Sequence, residues 1–465
     1  NEAVQKYKRE ASVEDLRKIK ISLGKLLSPD GTCWNRPLKT AIRLGDVKLL
    51  EFLFSTSYDV NDRDNNGMTA IHWACWFGNP KTAQWILSLS KEDNLIDLND
   101  RDADEMTAFH WACYNFPVAE WILELAKEKD TIDLNARATG STPFHWACGW
   151  GKTETVKLIL DFSKENGGLD LDARDIEGKT AFHLACNNSK DESETVKLIL
   201  DFSKENSVID LNAIDDEGRT AFHLACTQNG RLWNHYNYVK WILDFSKEND
   251  TIDLNARDNS GMTGLHWACY NFPVAEWLLE LIKENDTVSV ENVKLILEFS
   301  KENDKIDLNV KDNEGRTAFH TACYCAKKET ARSFLKFSEE KGRVDLNAKD
   351  ESGRTAFHAT CERGNTEIAK LILHFTKEND GIDLNARDEN ENTAFQGACA
   401  FGNTETVEMI LDNWKEFGID IRTHNIEGQT ALDILLEQEN DELNELITML
   451  EKEYSKIDAS EPVDT

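Results

Sequence analysis

The sequence is poor in proline, in long apolar runs and in positive charge, and each shortage excludes a class of protein. It contains 7 Pro and 24 Gly in 465 residues, which excludes a collagen-like or Pro/Gly-rich disordered chain. No apolar run approaches the roughly 18 residues of a membrane span, and the start, NEAVQKYKRE, has no apolar core of a secretory signal. The 53 Lys and Arg against 85 Asp and Glu give a net charge of −32, so nucleic acid and anionic membranes are poor partners.

Sequence signatures of catalysis are also missing. The chain has no Gly-x-Ser-x-Gly, no phosphate-binding glycine loop followed by lysine and no His-Glu-x-x-His. Its carboxylates recur in register, as in Lys-Glu-Asn-Asp, which is typical of a solvated face rather than of an acid/base pair. We therefore expect no enzymatic activity, no cofactor and no bound metal.

A phrase of the form Thr-Ala-Phe-His-x-Ala-Cys recurs along the chain. A divergent first copy spans residues 36–41, and the threonines of the later copies are Thr69, Thr107, Thr142, Thr180, Thr220, Thr263, Thr317, Thr355, Thr393 and Thr430. In each unit a turn precedes the threonine, which can cap a short helix. A polar break then leads to a longer apolar helix and to an Ile-Asp-Leu-Asn segment. Because neither helix can bury its apolar face alone, neighbouring units must stack in one continuous core.

This pattern resembles the ankyrin repeat, which combines a turn, Thr-Pro-Leu-His-x-Ala-Ala and a second helix. About eleven copies cover roughly residues 36–450, with Cys usually replacing the second Ala and Asp-Phe-Ser-Lys-Glu-Asn-Asp extending the second helix or its exit. The resemblance implies an all-α solenoid of stacked helix-turn-helix units with finger loops. We expect an N-terminal helical cap (1–35), repeats one to ten (36–429), a final repeat and C-terminal cap (430–453) and an acidic tail (454–465).

Two copies depart from the regular spacing. In Tyr114-Asn115-Phe116-Pro117 and in Tyr270-Asn271-Phe272-Pro273 a shortened link is expected to place proline at the start of the second helix. The 54 residues from Thr263 to Thr317 contain two outer-helix sequences, Trp277–Lys283 and Val293–Ser300. We interpret this stretch as a repeat that lost its turn and inner helix, and we expect a bend or an altered stacking angle there.

Histidine and cysteine recur as a His-x-x-Cys pair once per repeat. The pairs could supply zinc ligands, but a separation of about 10 Å between stacked helices is too large for one ion. We prefer a buried thiol and a histidine that hydrogen-bonds its own turn. The spacing also argues against disulfides, so a reducing compartment is expected, the cytoplasm with the nucleus left open.

Two polar columns follow the finger loops. An asparagine after each Asp-aliphatic pair is expected to bond locally to the backbone. In the ankyrin family this position can be hydroxylated, and Asn61 best matches the spacing that such hydroxylases favour. A basic column (Arg63, Arg101, Arg137, Arg174, Arg257, Lys311, Lys349, Arg387) mostly precedes Asp, which favours local ion pairs. A stripe that binds an acidic partner is the alternative.

The resemblance places partner binding on the concave face, at the finger tips and at the two residues after each inner helix. The candidate contact residues are the aromatics Trp76, Phe77, Tyr114, Trp150 and Tyr270, the finger residues Asn65, Asn66, Met68, Asp104 and Met106, and the arginines Arg63 and Arg101. Tryptophan and tyrosine dominate interface hot spots. The alternative is that these aromatics cover the ends of enlarged helices, and we interpret Trp73, Trp111, Trp146 and Trp267 as packing residues.

These observations predict a non-catalytic scaffold whose partner is another protein, either a peptide or a folded domain. The alternative function is that of an ankyrin segment in a larger membrane-associated or toxin-like protein, where it would serve as an elastic or oligomerisation platform. The sequence starts with Asn rather than Met, which is compatible with a fragment. The identity of the partner and the oligomeric state stay open.

Overall fold

The computed structural model describes residues 36–460 apart from 57–58, 94–95, 129–131, 189–193, 207–208, 228–233, 271–285, 380, 439 and 441–442. The chain divides into two compact units, Asn1–Asp210 (unit 1) and Leu211–Thr465 (unit 2), and each is described by itself. The predicted N-terminal cap over residues 1–35 lies outside the described residues.

Unit 1 alternates short inner helices with longer outer helices. The inner helices are α1 (Arg36–Leu44), α3 (Ala70–Phe77), α5 (Ala108–Ala112), α7 (Pro143–Gly149) and α9 (Ala181–Cys186). The outer helices are α2 (Val47–Thr56), α4 (Pro80–Asp93), α6 (Phe116–Glu128), α8 (Thr153–Asn166) and α10 (Thr195–Asn206). Each outer helix packs on the inner helix of its own repeat, and consecutive helices within each layer also contact one another.

Unit 2 continues the same alternation. Its inner helices are α11 (Ala221–Cys226), α13 (Gly264–Cys269), α15 (Ala318–Tyr324), α17 (Ala356–Glu362), α19 (Ala394–Ala400) and α21 (Ala431–Glu437). Its outer helices are α12 (Asn234–Glu248), α14 (Asp286–Glu302), α16 (Lys328–Lys341), α18 (Thr366–Asn379), α20 (Thr404–Phe417) and α22 (Asn444–Ser460). Because the part of the chain that the structure describes contains helices and no strand beyond isolated bridges, the predicted all-α fold is confirmed.

The core lies between the two helix layers and is built from the repeated phrase. The phenylalanine of the phrase is buried, as at Phe109 and Phe319, and so is its cysteine, as at Cys113 and Cys323. Burial raises the pKa of these thiols, in Cys323 to about 12. No disulfide joins the described cysteines. The buried-thiol interpretation is therefore confirmed for the column.

Pro117 and the Asp-Phe-Ser-Lys-Glu-Asn extension both lie in outer helices, at positions that the sequence predicts to be helical. Pro117 is the second residue of α6, where its missing N–H costs no helical hydrogen bond. The extension is helical in α8, which runs through Phe162 to Asn166. It therefore lengthens the outer helix instead of its exit loop.

The predicted acidic tail is wrong at its start. Helix α22 continues to Ser460, and the Tyr454 hydroxyl donates a hydrogen bond to the Ile421 carbonyl at 2.6 Å. The Arg422 guanidinium also lies over the Tyr454 ring, 5.4 Å from its centre. These contacts hold the last helix against the preceding finger, and residues 461–465 lie outside the described residues.

The long repeat that begins at Thr263 keeps the regular stacking. Its inner helix α13 packs directly on α14, and α14 contacts both α12 and α16 in the outer layer. The finger contacts also persist, since the Asn255 side chain accepts from the Asp307 N–H at 2.8 Å. The extra residues stand between α13 and α14 in the sequence, and the interpretation as a repeat that lost its turn and inner helix stays a prediction. Pro273 and the Trp277–Lys283 sequence lie outside the described residues.

Candidate functional site

In each full repeat the threonine precedes the first residue of the inner helix, as Thr107 precedes Ala108. The side chain three residues after the threonine hydrogen-bonds to it and stabilises the start of the helix. In the repeat of Thr107, the His110 Nδ1 accepts the Thr107 N–H at 3.0 Å. The opposite ring nitrogen, Nε2, donates to the Ser141 carbonyl of the next finger at 3.2 Å. Burial lowers the pKa of His110 to about 4, so the ring is neutral and can accept at one nitrogen while it donates at the other.

The predicted histidine-to-turn bond is confirmed, and the donor bond to the next repeat is an addition. Both nitrogens of His110 are used, which leaves neither for zinc. Among the described residues, no group of three His, Cys, Asp or Glu side chains is placed to hold a metal ion. The same double contact is made by His72, His145, His223, His266, His320 and His358.

In the last two repeats glutamine and then aspartate replace this histidine, and the two side chains differ in whether they can donate a hydrogen bond. Gln396 accepts the Thr393 N–H with Oε1 at 2.9 Å and donates with Nε2 to the Gln429 carbonyl at 3.0 Å. Asp433 accepts the Thr430 N–H at 2.8 Å and, as a carboxylate, cannot donate. It stands in the last repeat, which α22 follows in place of another finger. The donor is therefore retained where a further finger has to be held.

The asparagine column also joins neighbouring repeats, so the predicted local bonding is wrong. Asn347 accepts the Asp383 N–H at 2.8 Å and donates to the Gly381 carbonyl at 2.9 Å. Its own N–H is taken by the Asp345 carboxylate two residues earlier. We call this pair of side-chain bonds to the next repeat the amide clamp. It is also made by Asn135, Asn212, Asn255, Asn309 and Asn385. Asn61 is exposed, and its hydroxylation stays a prediction.

One position of this column carries aspartate, which gives a test. The Asp172 carboxylate accepts the Asp210 N–H at 2.9 Å but has no N–H to donate, and burial raises its pKa. We expect Asp172→Asn to raise the free energy of unfolding of unit 1 by about 1 kcal/mol at pH 7, because a donor is gained. Urea denaturation measures this change.

The reverse substitution Asn135→Asp is the matched control and should destabilise by a similar amount. The gain from Asp172→Asn should shrink as the pH falls through the raised pKa of Asp172, since protonation gives aspartic acid a donor. Equal stability of Asp172→Asn and wild type at pH 7 would contradict the amide clamp.

The basic column forms a third set of bonds between repeats. Arg101 donates to the Arg137 carbonyl at 2.6 Å, and Arg137 donates to the Arg174 carbonyl at 2.7 Å. The predicted ion pair with the following aspartate is wrong, because Asp102 Oδ1 accepts the Asp104 and Met106 N–H groups of its own finger. We call these bonds from a basic side chain to a carbonyl of the next repeat staples. Both Arg101 and Arg137 stay exposed to solvent while they make them.

The second carboxylate oxygen of these aspartates accepts an indole N–H where the inner helix carries tryptophan. The pairs are Trp73 with Asp64 at 3.1 Å, Trp111 with Asp102 at 2.9 Å and Trp267 with Asp258 at 2.8 Å. In the repeat of Thr142 the finger is one residue shorter, and Ala138 stands where the aspartate belongs. The Trp146 Nε1 is consequently buried without a hydrogen-bond partner among the described residues.

Seven side chains of unit 1 form an aromatic ribbon along the inner helices: Trp73, Trp76, Phe77, Trp111, Tyr114, Trp146 and Trp150. Their ring centres lie 5.3 Å apart for Trp73 and Phe77, 4.4 Å for Trp76 and Trp111, 5.4 Å for Tyr114 and Trp150, and 4.8 Å for Trp146 and Trp150. Trp76 and Tyr114 are 46% and 48% exposed. Trp73, Trp111 and Trp146 are half-buried, in keeping with a packing role.

Two lysines complete the ribbon, and the sequence prediction omitted both. The Lys39 ammonium lies 3.8 Å from the Trp73 ring centre, and Lys152 lies 3.8 Å from that of Tyr114. At this distance a cation is attracted by the electron-rich ring face. No local sequence pattern indicates the second contact, because Lys152 lies 38 residues after Tyr114.

The predicted contact residues fall into two groups. Met68 and Met106 are 5% and 3% exposed, so they are core residues and cannot contact a partner. The reason is that each backbone N–H donates to the finger aspartate, Asp64 or Asp102, which turns the side chain inward. The exposed predicted residues are Asn65, Asn66, Asp104, Arg63, Arg101, Trp76 and Tyr114, and Phe77, Trp150 and Tyr270 are half-buried.

Unit 2 carries separate aromatics at the ends of its inner helices. The Arg363 guanidinium lies 3.8 Å from the ring centre of Tyr324, and Phe401 is 66% exposed. Trp267 and Tyr270 have ring centres 6.0 Å apart. Over the described ranges, no helix combines the length and the apolar character that crossing a membrane requires.

Comparison with known proteins matches ankyrin families along most of the chain. Ankyrin repeats (many copies) match residues 38–87, and ankyrin repeats (3 copies) match 87–175, 109–213, 164–251, 207–289 and 287–388. Rabankyrin-5 is 43% identical in Mus musculus and 41% in Homo sapiens, in each case over 49 residues. That match covers 10% of this chain and 4% of the relative, so the chain matches only a small part of these curated relatives.

One solved structure is also similar to part of this chain. The ankyrin repeat domain of Bcl-3, described as a unique member of the IkappaB protein family, is 23% identical with a TM-score of 0.44. The match covers 58% of this chain and 98% of that one.

Proposed function

The chain belongs to the ankyrin repeat family, whose repeats are generally protein–protein interaction modules, and from this premise we propose that it is a non-catalytic scaffold. It binds another protein through the aromatic ribbon of unit 1 and the neighbouring finger tips. The exposed finger residues Asn65, Asn66 and Asp104 and the arginines Arg63 and Arg101 supply the polar rim that surrounds an interface core.

One observation carries this proposal: Trp76 and Tyr114 leave about half of their surface in water although each ring packs against another aromatic ring, Trp111 and Trp150 respectively. If these rings served only to cover helix ends, we would expect other residues to shield them from solvent, as is partly the case for Phe77. Large aromatic side chains lose little conformational entropy on binding because they have two rotatable bonds. They are therefore efficient anchors for a partner.

The double variant Trp76→Ala with Tyr114→Ala is expected to abolish capture of the partner. Truncating a hot spot costs about 2 kcal/mol or more, so the two changes together should weaken binding on the order of 100-fold or more. The measurement is affinity capture from a cell lysate with identification by mass spectrometry, followed by calorimetry on the captured protein. Phe401→Ala is the matched control, since Phe401 is 66% exposed at the place in unit 2 that corresponds to Phe77.

Circular dichroism of each variant shows whether the helices persist. Loss of the helical signal in the double variant would mean that Trp76 and Tyr114 are core residues and would overturn the proposal. Equal loss of capture with Phe401→Ala would move the site away from the aromatic ribbon. A wild-type chain that captures nothing and self-associates in sedimentation velocity would instead favour the oligomerisation platform.

A further inference from the structure

We infer that the end of the aromatic ribbon around Tyr114, Trp146 and Trp150 binds an acidic peptide segment. This segment is an extended stretch with Asp or Glu beside an aromatic or aliphatic side chain, presented by the partner protein. The inference rests on the proposed function and names the chemistry of the partner at that site. Three features of unit 1 carry it.

The first feature is a missing carboxylate. In the two preceding repeats a finger aspartate accepts the tryptophan indole N–H, as Asp102 does from Trp111 at 2.9 Å. In the repeat of Thr142, Ala138 takes this place and the Trp146 Nε1 has no acceptor among the described residues. The local charge therefore lacks one negative group that the neighbouring repeats possess.

The second feature is a set of cations without carboxylates. Within the described residues, Arg101, Arg137 and Lys152 form no salt bridge, although Asp and Glu outnumber Lys and Arg by 85 to 53. Arg63, one repeat earlier, does pair with the Asp100 carboxylate. Charge complementarity at this end of the ribbon thus favours a negative segment, against the sign of the whole chain.

The third feature is that these cations are already positioned. The Arg101 and Arg137 side chains are each held by a bond to the carbonyl of the next finger, at 2.6 and 2.7 Å. One arm of the guanidinium makes this bond, which leaves other N–H groups for a carboxylate. The Lys152 ammonium lies on Tyr114, beside Trp150. At Tyr114 a carboxylate and an adjacent apolar side chain therefore find the Lys152 ammonium and a ring surface side by side, and Arg137 precedes Ala138 in the finger of the same repeat as Lys152.

The probe is a phage library of random dodecapeptides, selected on the full chain. We expect enriched sequences to combine Asp or Glu with an aromatic or aliphatic residue. Synthetic versions should bind at least 10-fold more weakly to Arg137→Gln with Lys152→Gln, because both charges are lost while side-chain donors remain. Binding should also weaken as salt is raised. Lys311→Gln with Lys349→Gln is the matched control, since both lysines make the same staples in unit 2.

Enrichment of basic or uncharged sequences, or no enrichment at all, would overturn the inference. So would acidic peptides that bind Arg137→Gln with Lys152→Gln as tightly as wild type, or that lose equal affinity with the control pair. Failure of the scaffold proposal is distinguishable, because the wild-type chain would then capture no protein from the lysate. Capture that depends on Trp76 and Tyr114 but not on Arg137 and Lys152 would retain the scaffold and reject the acidic segment.

Discussion

Replacing His110 by alanine should lower the free energy of unfolding of unit 1 by about 3–5 kcal/mol. The substitution removes the acceptor of the Thr107 N–H, which is then buried without a partner, and it removes the His110 donor from the Ser141 carbonyl, which keeps the bond from the Ala138 N–H. It also opens a cavity in a closely packed layer. The loss should appear as a lower urea midpoint in circular dichroism at pH 7, with wild type measured in parallel.

His110→Gln is the informative control, because Gln396 already makes both bonds in its own repeat. We expect this variant to stay within about 1 kcal/mol of wild type, as for a substitution that keeps buried polar groups paired. If His110→Gln were as destabilising as His110→Ala, the ring volume rather than the pair of hydrogen bonds would explain the effect. The interpretation of the column as a link between repeats would then be wrong.

Acidification should destabilise the repeats through the same column. Burial lowers the pKa of His72, His110, His145, His223, His266, His320 and His358. The unfolded chain takes up protons on these rings below about pH 6.5, whereas His110 in the folded chain resists protonation until about pH 4. The stability due to the neutral ring is therefore complete at pH 7 and is lost as the pH falls from about 6.5 towards 4.

The net effect on wild type includes an opposing term, since a chain of net charge −32 repels itself less as its carboxylates become protonated. The difference between wild type and His110→Gln removes that term. From pH 7 to pH 5, wild type should lose about 2 kcal/mol more than His110→Gln, which is the proton linkage of one ring. Urea titrations at several pH values measure it, and parallel curves for the two proteins would contradict the neutral, buried ring.

Contacts within a repeat were predictable because they join residues close in the chain. The threonine caps, the placement of Pro117 and the buried thiols all follow from spacings of a few residues. Met68 was mispredicted because the finger looked like an exposed loop. The inward orientation of the Met68 side chain depends on the Asp64 carboxylate. This carboxylate accepts the Asn66 and Met68 N–H groups and so bends the finger.

The candidate site was predictable in part. A concentration of aromatics after the inner helices pointed to Trp76 and Tyr114, and both are exposed. The contact of Lys152 with Tyr114 joins residues 38 positions apart, so no local pattern predicts it. Among the described residues the Trp146 indole N–H lacks an acceptor, and this becomes apparent only after the aspartate contacts of the other tryptophans are known.

The repeat, the two helices of each unit, the capping threonine and the composition of the core could be derived from the amino-acid sequence, since all of these depend on neighbours within about one helical turn. The hydrogen-bond partners of the polar columns depend on how the repeats stack. Histidine, asparagine and arginine each have hydrogen-bonding groups that can be satisfied locally or across a repeat, and the sequence does not distinguish the two. Stacking of the repeats brings backbone groups of the next finger within about 3 Å of these side chains and excludes water from around them, as for the Ser141 carbonyl beside His110. A buried polar group must then take the partner that packing provides.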